Sequence, residues 1–268
     1  MLRDITIGQY FPGRSVIHKM DPRMKVVCSI LYIVLLFVAS NPLALGLGVL
    51  LLALMYGLSR IPAKMILKSL KPVVPIIIFT ALLNLFFLSG DKEPLLQLGF
   101  LRIYEEGLRM AVFMAVRIIC LIAGTSLLTY TTSPIELTDA IEKLMGPLKC
   151  LKVPVHEISM MMTIALRFIP TLIEETEKIM NAQKARGADL ESGTMIQRAK
   201  ALVPILIPLF VSAFRRADEL ALAMECRCYR GGEGRTRMKQ LHTAPRDWMA
   251  LGIMVLCTVG ILAINILL

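Results

Sequence analysis

The chain has 268 residues, of which 56% are hydrophobic, with a mean hydropathy of +0.67 and a formal net charge of +10. Such a hydropathy lies far above that of soluble domains and indicates an integral membrane protein. The basic charge is clustered between apolar runs, as in cytoplasmic loops, and only 6% of the residues are aromatic, which is poor for a base-stacking surface; nucleic-acid binding is therefore not expected.

Five apolar runs approach or reach the length of about 17 to 20 residues that a membrane span needs. In chain order they are residues 26–40, 43–58, 72–89, 108–129 and 248–268. The polar stretch before the first run lacks the apolar core of a signal peptide and is expected to be cytosolic. The loop 59–71 carries Lys and Arg without any acid, which marks it as cytoplasmic, and the loop 90–107 is expected to be external.

Arg117 lies well inside the fourth apolar run. An arginine within a membrane is costly and usually faces protein or a wet crevice. Two interpretations remain open: an intramembrane contact to another helix or subunit, or a side chain that reaches the interface from a helix placed off-centre.

Three helical segments that are not clear spans follow the fourth run. Residues 133–146 begin with a Ser133 N-cap, Pro134 and Glu136, and their apolar residues recur at helical spacing, which predicts an amphipathic helix. Long helical patterns cover residues 155–187 and 195–229. Their apolar stretches, 158–173 and 201–214, are short for spans and contain prolines or charges.

Two membrane topologies are compatible with the sequence. Both place the N-terminus inside and the C-terminus outside. If 158–173 and 201–214 do not cross, the chain has about five spans and a cytoplasmic platform of three helices. If both cross, it has seven spans. Length and the interrupting charges favour five, so the expected fold is an all-α membrane protein with domains 1–129, 130–245 and 246–268.

Two arginines occupy matched places near the ends of the long patterns. When Ala182 is aligned with Ala223, Arg186 falls on Arg227. A single arginine there would simply complement the helix dipole. A matched pair instead suits two equivalent acidic pockets on a dimeric partner, because the guanidinium forms bidentate contacts with carboxylates. The small neighbours that would let a partner approach are Ala185, Gly187, Cys226 and Cys228.

No catalytic pattern and no metal-ligand spacing stand out in the chain, and we expect neither an enzyme nor a metal site. The glycine-rich stretch 229–237 follows a helix and lacks the GK[ST] of a phosphate-binding loop. If the protein performs work, the energy is expected to come from another subunit.

The sequence resembles the transmembrane (T) component of energy-coupling factor transporters, a branch of the ABC importers, over nearly its whole length. The opening "GQYFPGRSVIHKMDPRMK" is similar to the start of that family, with Pro12, Gly13, Ser15, His18, Asp21, Pro22, Arg23 and Lys25 matching. "KARGADL" resembles the first of two Ala-Arg-Gly signatures, and "ECRCYRGGEGRTR" resembles the second, although here Cys226 and Cys228 flank the arginine.

The resemblance implies a non-catalytic scaffold in the cell membrane. Its coupling helices would each place one arginine in a groove of one of two ABC-type ATPase subunits, which would bind ATP and Mg²⁺. A separate membrane S component would bind the vitamin or other micronutrient. Two other classes were weighed: a stand-alone secondary transporter or channel, which usually shows a polar site at the membrane midplane, and an intramembrane enzyme.

Overall fold

The computed structural model describes residues 10–87, 96–98, 101–188, 194–231 and 241–267. Within them the helices are α1 (Pro22–Val38), α2 (Pro42–Ser59), α3 (Ala63–Leu70), α4 (Val74–Phe87), α5 (Glu105–Thr131), α6 (Pro134–Leu144), a short 3-10 helix (Gly146–Leu151), α7 (Val155–Ala185), α8 (Met195–Cys226) and α9 (Pro245–Leu267). Two three-residue strands, β1 (Leu96–Leu98) and β2 (Leu101–Ile103), pair antiparallel before α5.

The described residues form two compact units. The bundle unit consists of residues 10–140 and 241–267, and the long-helix unit consists of residues 141–231. In the bundle unit, α5 packs against α1, α2, α3 and α4, while α9 packs against α1 and α2. The centre of this core is apolar and includes the fully buried Leu35, Leu36 and Ile261. In the long-helix unit, α7 packs against α8.

Local sequence signals explain where the first helices begin and end. Asp21 is the N-cap of α1 and accepts the Arg23 N–H at 2.9 Å, while Pro22 occupies the first helical position. Pro42 does the same for α2, which ends where Arg60 adopts a left-handed conformation with φ 56°. Ser133 caps α6 by accepting the Glu136 N–H at 3.3 Å, as its sequence predicts.

The structure confirms an all-α membrane protein, apart from the short β1–β2 pair. By length and composition, α2, α5, α8 and α9 are able to cross a membrane, and α3 with α4, bent by 62°, would make a fifth span. With 17 residues, α1 lies at the lower limit of about 17 for a span.

The apolar run 201–214, which alone is short for a span, lies within the long helix that the sequence predicts over 195–229. It is the centre of α8, a 32-residue helix that is long and apolar enough to span. Because Pro208 has no N–H, the carbonyl of Pro204 loses its helical donor. The side chain of Gln183 from α7 supplies one instead, with Nε2 3.3 Å from that oxygen. The helix therefore continues through both prolines.

Candidate functional site

We use the term arginine tips for the two helix ends at Arg186 and Arg227. The first tip ends α7 with a complete Schellman motif. Arg186 is the C-cap residue, with φ −83° and ψ 4°, and Gly187 follows at φ 85°. The Gly187 N–H donates to the Lys184 carbonyl at 3.0 Å, and the Ala188 N–H donates to the Gln183 carbonyl at 3.0 Å. These two bonds satisfy carbonyls that a helix end leaves without donors.

The second tip closes α8 in the same way. Arg227 is the C-cap residue, with φ −90° and ψ 11°, and Cys228 follows at φ 56°. The Cys228 N–H donates to the Glu225 carbonyl at 2.8 Å, and the Tyr229 N–H donates to the Met224 carbonyl at 3.0 Å. Arg227 and Arg186 therefore occupy the same position of the same capping motif. The two arginines that align in the sequence are thus equivalent in backbone structure.

Both tips are exposed. The side chains of Arg186 and Arg227, and the small residues Ala185, Gly187 and Cys226 beside them, lie open to solvent in the long-helix unit. Among the described residues neither guanidinium has a hydrogen bond or an ion pair. Each tip therefore presents a cation with free donors on a fixed backbone.

Cys228 occupies a position that favours glycine. A residue with a Cβ in the left-handed region is strained by roughly 1 kcal/mol, and the equivalent position in α7 is Gly187. We expect Cys228→Gly to raise the free energy of unfolding by about 1 kcal/mol. The measurement is denaturant titration of the purified chain in mild detergent. Cys226→Gly, two residues earlier in regular helix, is the matched control and should give no gain.

The two tips lie at opposite ends of an antiparallel helix pair. Gln183 near the end of α7 contacts Pro204 in the first half of α8, whereas Met160 near the start of α7 lines the same cavity as Arg227 at the end of α8. The stretch of α7 from Met160 to Arg186 corresponds to roughly 40 Å of helix. Equivalent positions on antiparallel helices are related by an approximate two-fold axis.

A charged cluster fastens the middle of this pair. Arg216 of α8 donates to Glu175 of α7 at 2.9 Å, and the Ser212 hydroxyl also donates to the same carboxylate. The hydrogen bond from Ser212 lowers the pKa of Glu175, against partial burial, and Arg216 lowers it further. The carboxylate is therefore ionised at neutral pH and holds the two helices in register.

The N-terminal residues that resemble the family's start form a compact turn in the bundle unit, held by local contacts. The His18 ring contacts the Ser15 hydroxyl at 2.7 Å and the Phe11 carbonyl at 3.0 Å. A Cβ at Gly13 would lie 2.7 Å from that ring, so only glycine fits there without a shift. Burial lowers the pKa of His18. The ring is thus a neutral structural element that shapes the turn before α1.

Charged groups of the same segment join it to the bundle. Burial would raise the pKa of Asp21, but hydrogen bonds from Arg23 outweigh it and leave the pKa below its usual range. Arg23 Nη2 donates to Asp21 at 2.8 Å and to the Leu241 carbonyl at 3.0 Å. Lys25 is buried and donates to the Thr131 carbonyl at 2.8 Å. These matched residues therefore link the N-terminal segment to the last turn of α5 and to the residues before α9.

Arg117 contacts another helix of the bundle unit. Its Nη2 donates to the Ala39 carbonyl at the end of α1, and its guanidinium carbon lies 4.7 Å from the centre of the Phe113 ring. Arg117 thus contacts the end of α1, and Nε has no partner among the described residues. An intramembrane role for this contact stays a prediction.

The sequence reasoning missed two polar residues with long-range partners. Asp247 is fully buried and accepts the Ala244 N–H at 2.8 Å and the Asp21 N–H at 3.3 Å. Asn265 bonds the Val38 carbonyl and the Ser40 N–H. For Asp247, the sequence offered one signal, namely an acid directly at the start of an apolar run. It gave no indication that the Asp21 N–H is a partner of this acid.

Known proteins resemble this chain over most of its length. Residues 13–238 match the family described as CbiQ, cobalt transport protein. This chain belongs to the CbiQ family. A Clostridium kluyveri protein named "Energy-coupling factor transporter transmembrane protein EcfT" is 57% identical over 267 residues, covering 100% of this chain and 97% of the relative. Proteins of that name from Ruminiclostridium cellulolyticum and Bacillus subtilis are 55% and 48% identical, covering 95% and 92% of this chain and 95% and 93% of the relatives.

Membership of the CbiQ family confirms the resemblance to the transmembrane component of energy-coupling factor transporters. The family and the apolar helices together establish a membrane transport component, and they do not favour a stand-alone secondary transporter. Among the described residues no group of three or more His, Cys, Asp or Glu is placed to hold a metal ion.

Proposed function

We propose that this chain is the coupling scaffold of an ATP-driven importer and that Arg186 and Arg227 are its docking points for two ATPase subunits. The observation that carries the proposal is the pair of matched helix ends. Each exposes an arginine on a Schellman-capped terminus, with no ion pair to any residue that the structure describes, and the antiparallel arrangement places the two at opposite ends of the long-helix unit.

An approximate two-fold relation between the tips fits a partner with two-fold symmetry. A dimer of ATPases offers the same groove twice, and one chain can fill both grooves only if it presents the same group twice in two-fold arrangement. Arginine suits an acidic groove because its fork donates to both carboxylate oxygens. ATP and Mg²⁺ would be bound by those partners, and this chain would contribute no catalytic group.

The packing of α7 against α8 supports a cytoplasmic position for both tips. Glu175 contacts Ser212, which lies inside the apolar run 201–214. The stretch 174–178 of α7 carries three glutamates and a lysine. If the run crossed the bilayer, these charges would be drawn into hydrocarbon at a cost of about 3 kcal/mol each. The topology in which α8 does not cross, and α1 is instead one of about five spans, avoids that cost. It has a cytosolic N-terminus and an external C-terminus.

An exposed apolar face on α8 indicates a second, membrane-embedded partner. The face is large and poorly covered within the long-helix unit, and it includes the exposed Ile207, Phe210, Val211 and Phe214. Contiguous apolar surface of this kind marks an interaction site. A substrate-binding S component, itself a membrane protein, would cover it. Movement of the ATPases would then pass through α7 and α8 to that component.

The transported substrate would be a vitamin or another micronutrient, bound by the S component. The family description mentions cobalt, so a metal ion is included among these candidates. Because the substrate would be recognised by a separate chain, the residues described here would couple the ATPases to transport and would not select the substrate.

The test is affinity purification of the full chain from mild detergent, with the wild type beside Arg186→Glu/Arg227→Glu. Two ATPase subunits should co-purify with the wild type. The double charge reversal should reduce their recovery roughly 100-fold, because each tip would face a carboxylate with like charge. Micronutrient uptake by cells carrying the double variant should be lost while the chain still inserts into the membrane.

Arg215→Glu is the matched control. Arg215 is an exposed arginine in the middle of α8, so this variant changes charge in the same helix away from the tips. ATPase recovery should stay at the wild-type level. Equal recovery with the double variant and the wild type would refute docking at the tips, and a wild-type chain that purifies folded but alone would refute the scaffold.

A further inference from the structure

The bundle unit contains an apolar groove that the proposed coupling role does not use. It lies between α1, α2, α5 and α9 and beneath the N-terminal segment, with a volume of about 160 Å³. Its floor includes the buried Tyr32, Leu52 and Leu127. This is roughly the space that a benzene-sized hydrocarbon group fills, so it suits several carbons of an extended chain.

The groove opens through side chains that face away from the core. Leu54 and Leu58 of α2 and Ile253 of α9 line it and are 54%, 50% and 55% exposed. These three residues lie on helices long and apolar enough to cross a membrane. The surroundings of such an opening are acyl chains, which can enter it from the side.

Two basic side chains, Lys25 and Arg246, also line the groove. Lys25 is committed to backbone carbonyls. Arg246 Nη2 donates to the Lys19 carbonyl, and the buried Nε lies 3.8 Å from Asp247. The side chain as a whole is 40% exposed, so the outer part of its guanidinium is open to a further acceptor.

The rim of the groove near these two side chains is basic as well. Arg14 and Lys19 are exposed on the segment that covers the groove, and Arg60 is exposed two residues after Leu58. The nearby acids Asp21 and Asp247 are buried with donors of their own, and Glu136 also has a partner. The exposed charge beside Lys25 and Arg246 is therefore positive and complements an anion.

We propose that the groove is a binding site for one anionic phospholipid. One acyl chain occupies the apolar groove, and the headgroup phosphate accepts hydrogen bonds from Arg246 with Arg14, Lys19 and Arg60 nearby. A lipid satisfies both parts of the site at once, whereas a free phosphate would leave the apolar part empty. The position agrees with the expected cytosolic side of the membrane, where basic residues attract anionic lipids.

The test is native mass spectrometry of the purified full chain, equilibrated with equimolar dioleoylphosphatidylglycerol and dioleoylphosphatidylcholine. The wild type should retain the anionic lipid about five-fold in excess, the preference expected from one well-placed basic residue. Arg246→Gln should bring the ratio close to one, and Arg246→Lys should keep most of the preference. Ala250→Phe, which fills the groove, should lower retention of both lipids.

Arg109→Gln is the matched control, because Arg109 is an exposed arginine near the start of α5, far along that helix from the groove. It should leave the ratio unchanged. sn-Glycerol 3-phosphate, a headgroup without chains, should not displace the lipid. Equal retention of the two lipids by the wild type, an identical ratio for Arg246→Gln and Arg109→Gln, unchanged retention in Ala250→Phe, or displacement by glycerol phosphate would each overturn the proposal.

Discussion

Replacing Lys25 by methionine is expected to lower the free energy of unfolding by about 3 kcal/mol, the largest loss of stability that we anticipate for a single charge. Lys25 is 5% exposed, and its ammonium donates to the Thr131 carbonyl at 2.8 Å, to the His18 carbonyl at 3.2 Å and to the Thr132 hydroxyl at 3.3 Å. Methionine has a similar length but supplies no donor. The Thr131 carbonyl, in the last turn of α5, would then be left buried without a partner.

The buried acids make the loss greater. Asp21 and Asp247 are 4% and 0% exposed, and Lys25 is the buried cation of this region. Removing the Lys25 charge takes a favourable electrostatic interaction away from both acids, although each keeps its own hydrogen-bond donors. Denaturant titration of the purified chain in mild detergent measures the change.

Lys64→Met serves as the control for Lys25→Met. Lys64 is exposed on α3, so the same chemical change there should shift stability by less than about 0.5 kcal/mol. Comparable unfolding midpoints for the two variants would show that the hydrogen bonds of Lys25 do not stabilise the bundle unit.

Gly124→Ala is expected to destabilise the chain by about 2 kcal/mol through overpacking. A Cβ at Gly124 would lie 2.4 Å from Cε1 and 2.6 Å from Cδ1 of Tyr32. The ring is 2% exposed, and moving it aside into the neighbouring groove would break the hydrogen bond from its hydroxyl to the Gly48 carbonyl at 3.3 Å. The contact between α1 and α5 would therefore have to open.

Gly252→Ala separates this clash from the general effect of removing a helical glycine. No atom lies within 4 Å of a Cβ at Gly252 in α9, so alanine there should be neutral or stabilising by up to about 1 kcal/mol. Combining Gly124→Ala with Tyr32→Leu should cost less than the sum of the two single changes. Additive losses would contradict a direct clash between the two positions.

The sequence predicted the features that depend on local pattern. Four of the five apolar runs coincide with helices able to span, whereas α8, which is also able to span, was not among the predicted spans. Ser133 and Pro134 located the start of α6, and the alignment of Arg186 with Arg227 predicted equivalent helix ends, which the two Schellman motifs match in detail. Short-range signals of this kind survive folding because their partners lie within one or two helical turns. The role of the two arginines as docking points stays a prediction.

Features that depend on distant partners were beyond the sequence. Asp247 accepts a hydrogen bond from the Asp21 N–H, 226 positions away in the chain. The spacing of apolar residues cannot predict such a contact. The hydrogen bond from Gln183 to the Pro204 carbonyl likewise joins two helices, and the helical pattern 195–229 gave no sign of that partner.

The prolines also give the long-helix unit a mechanical character. Pro170 in α7 and Pro204 and Pro208 in α8 all lie between the two arginine tips, and each removes a backbone hydrogen bond from its helix. A helix bends most easily where backbone hydrogen bonds are missing. Force applied at Arg186 and Arg227 is therefore expected to concentrate as curvature in the middle of the pair, beside the exposed apolar face of α8, so that a small displacement of the tips becomes a change in the shape of that face.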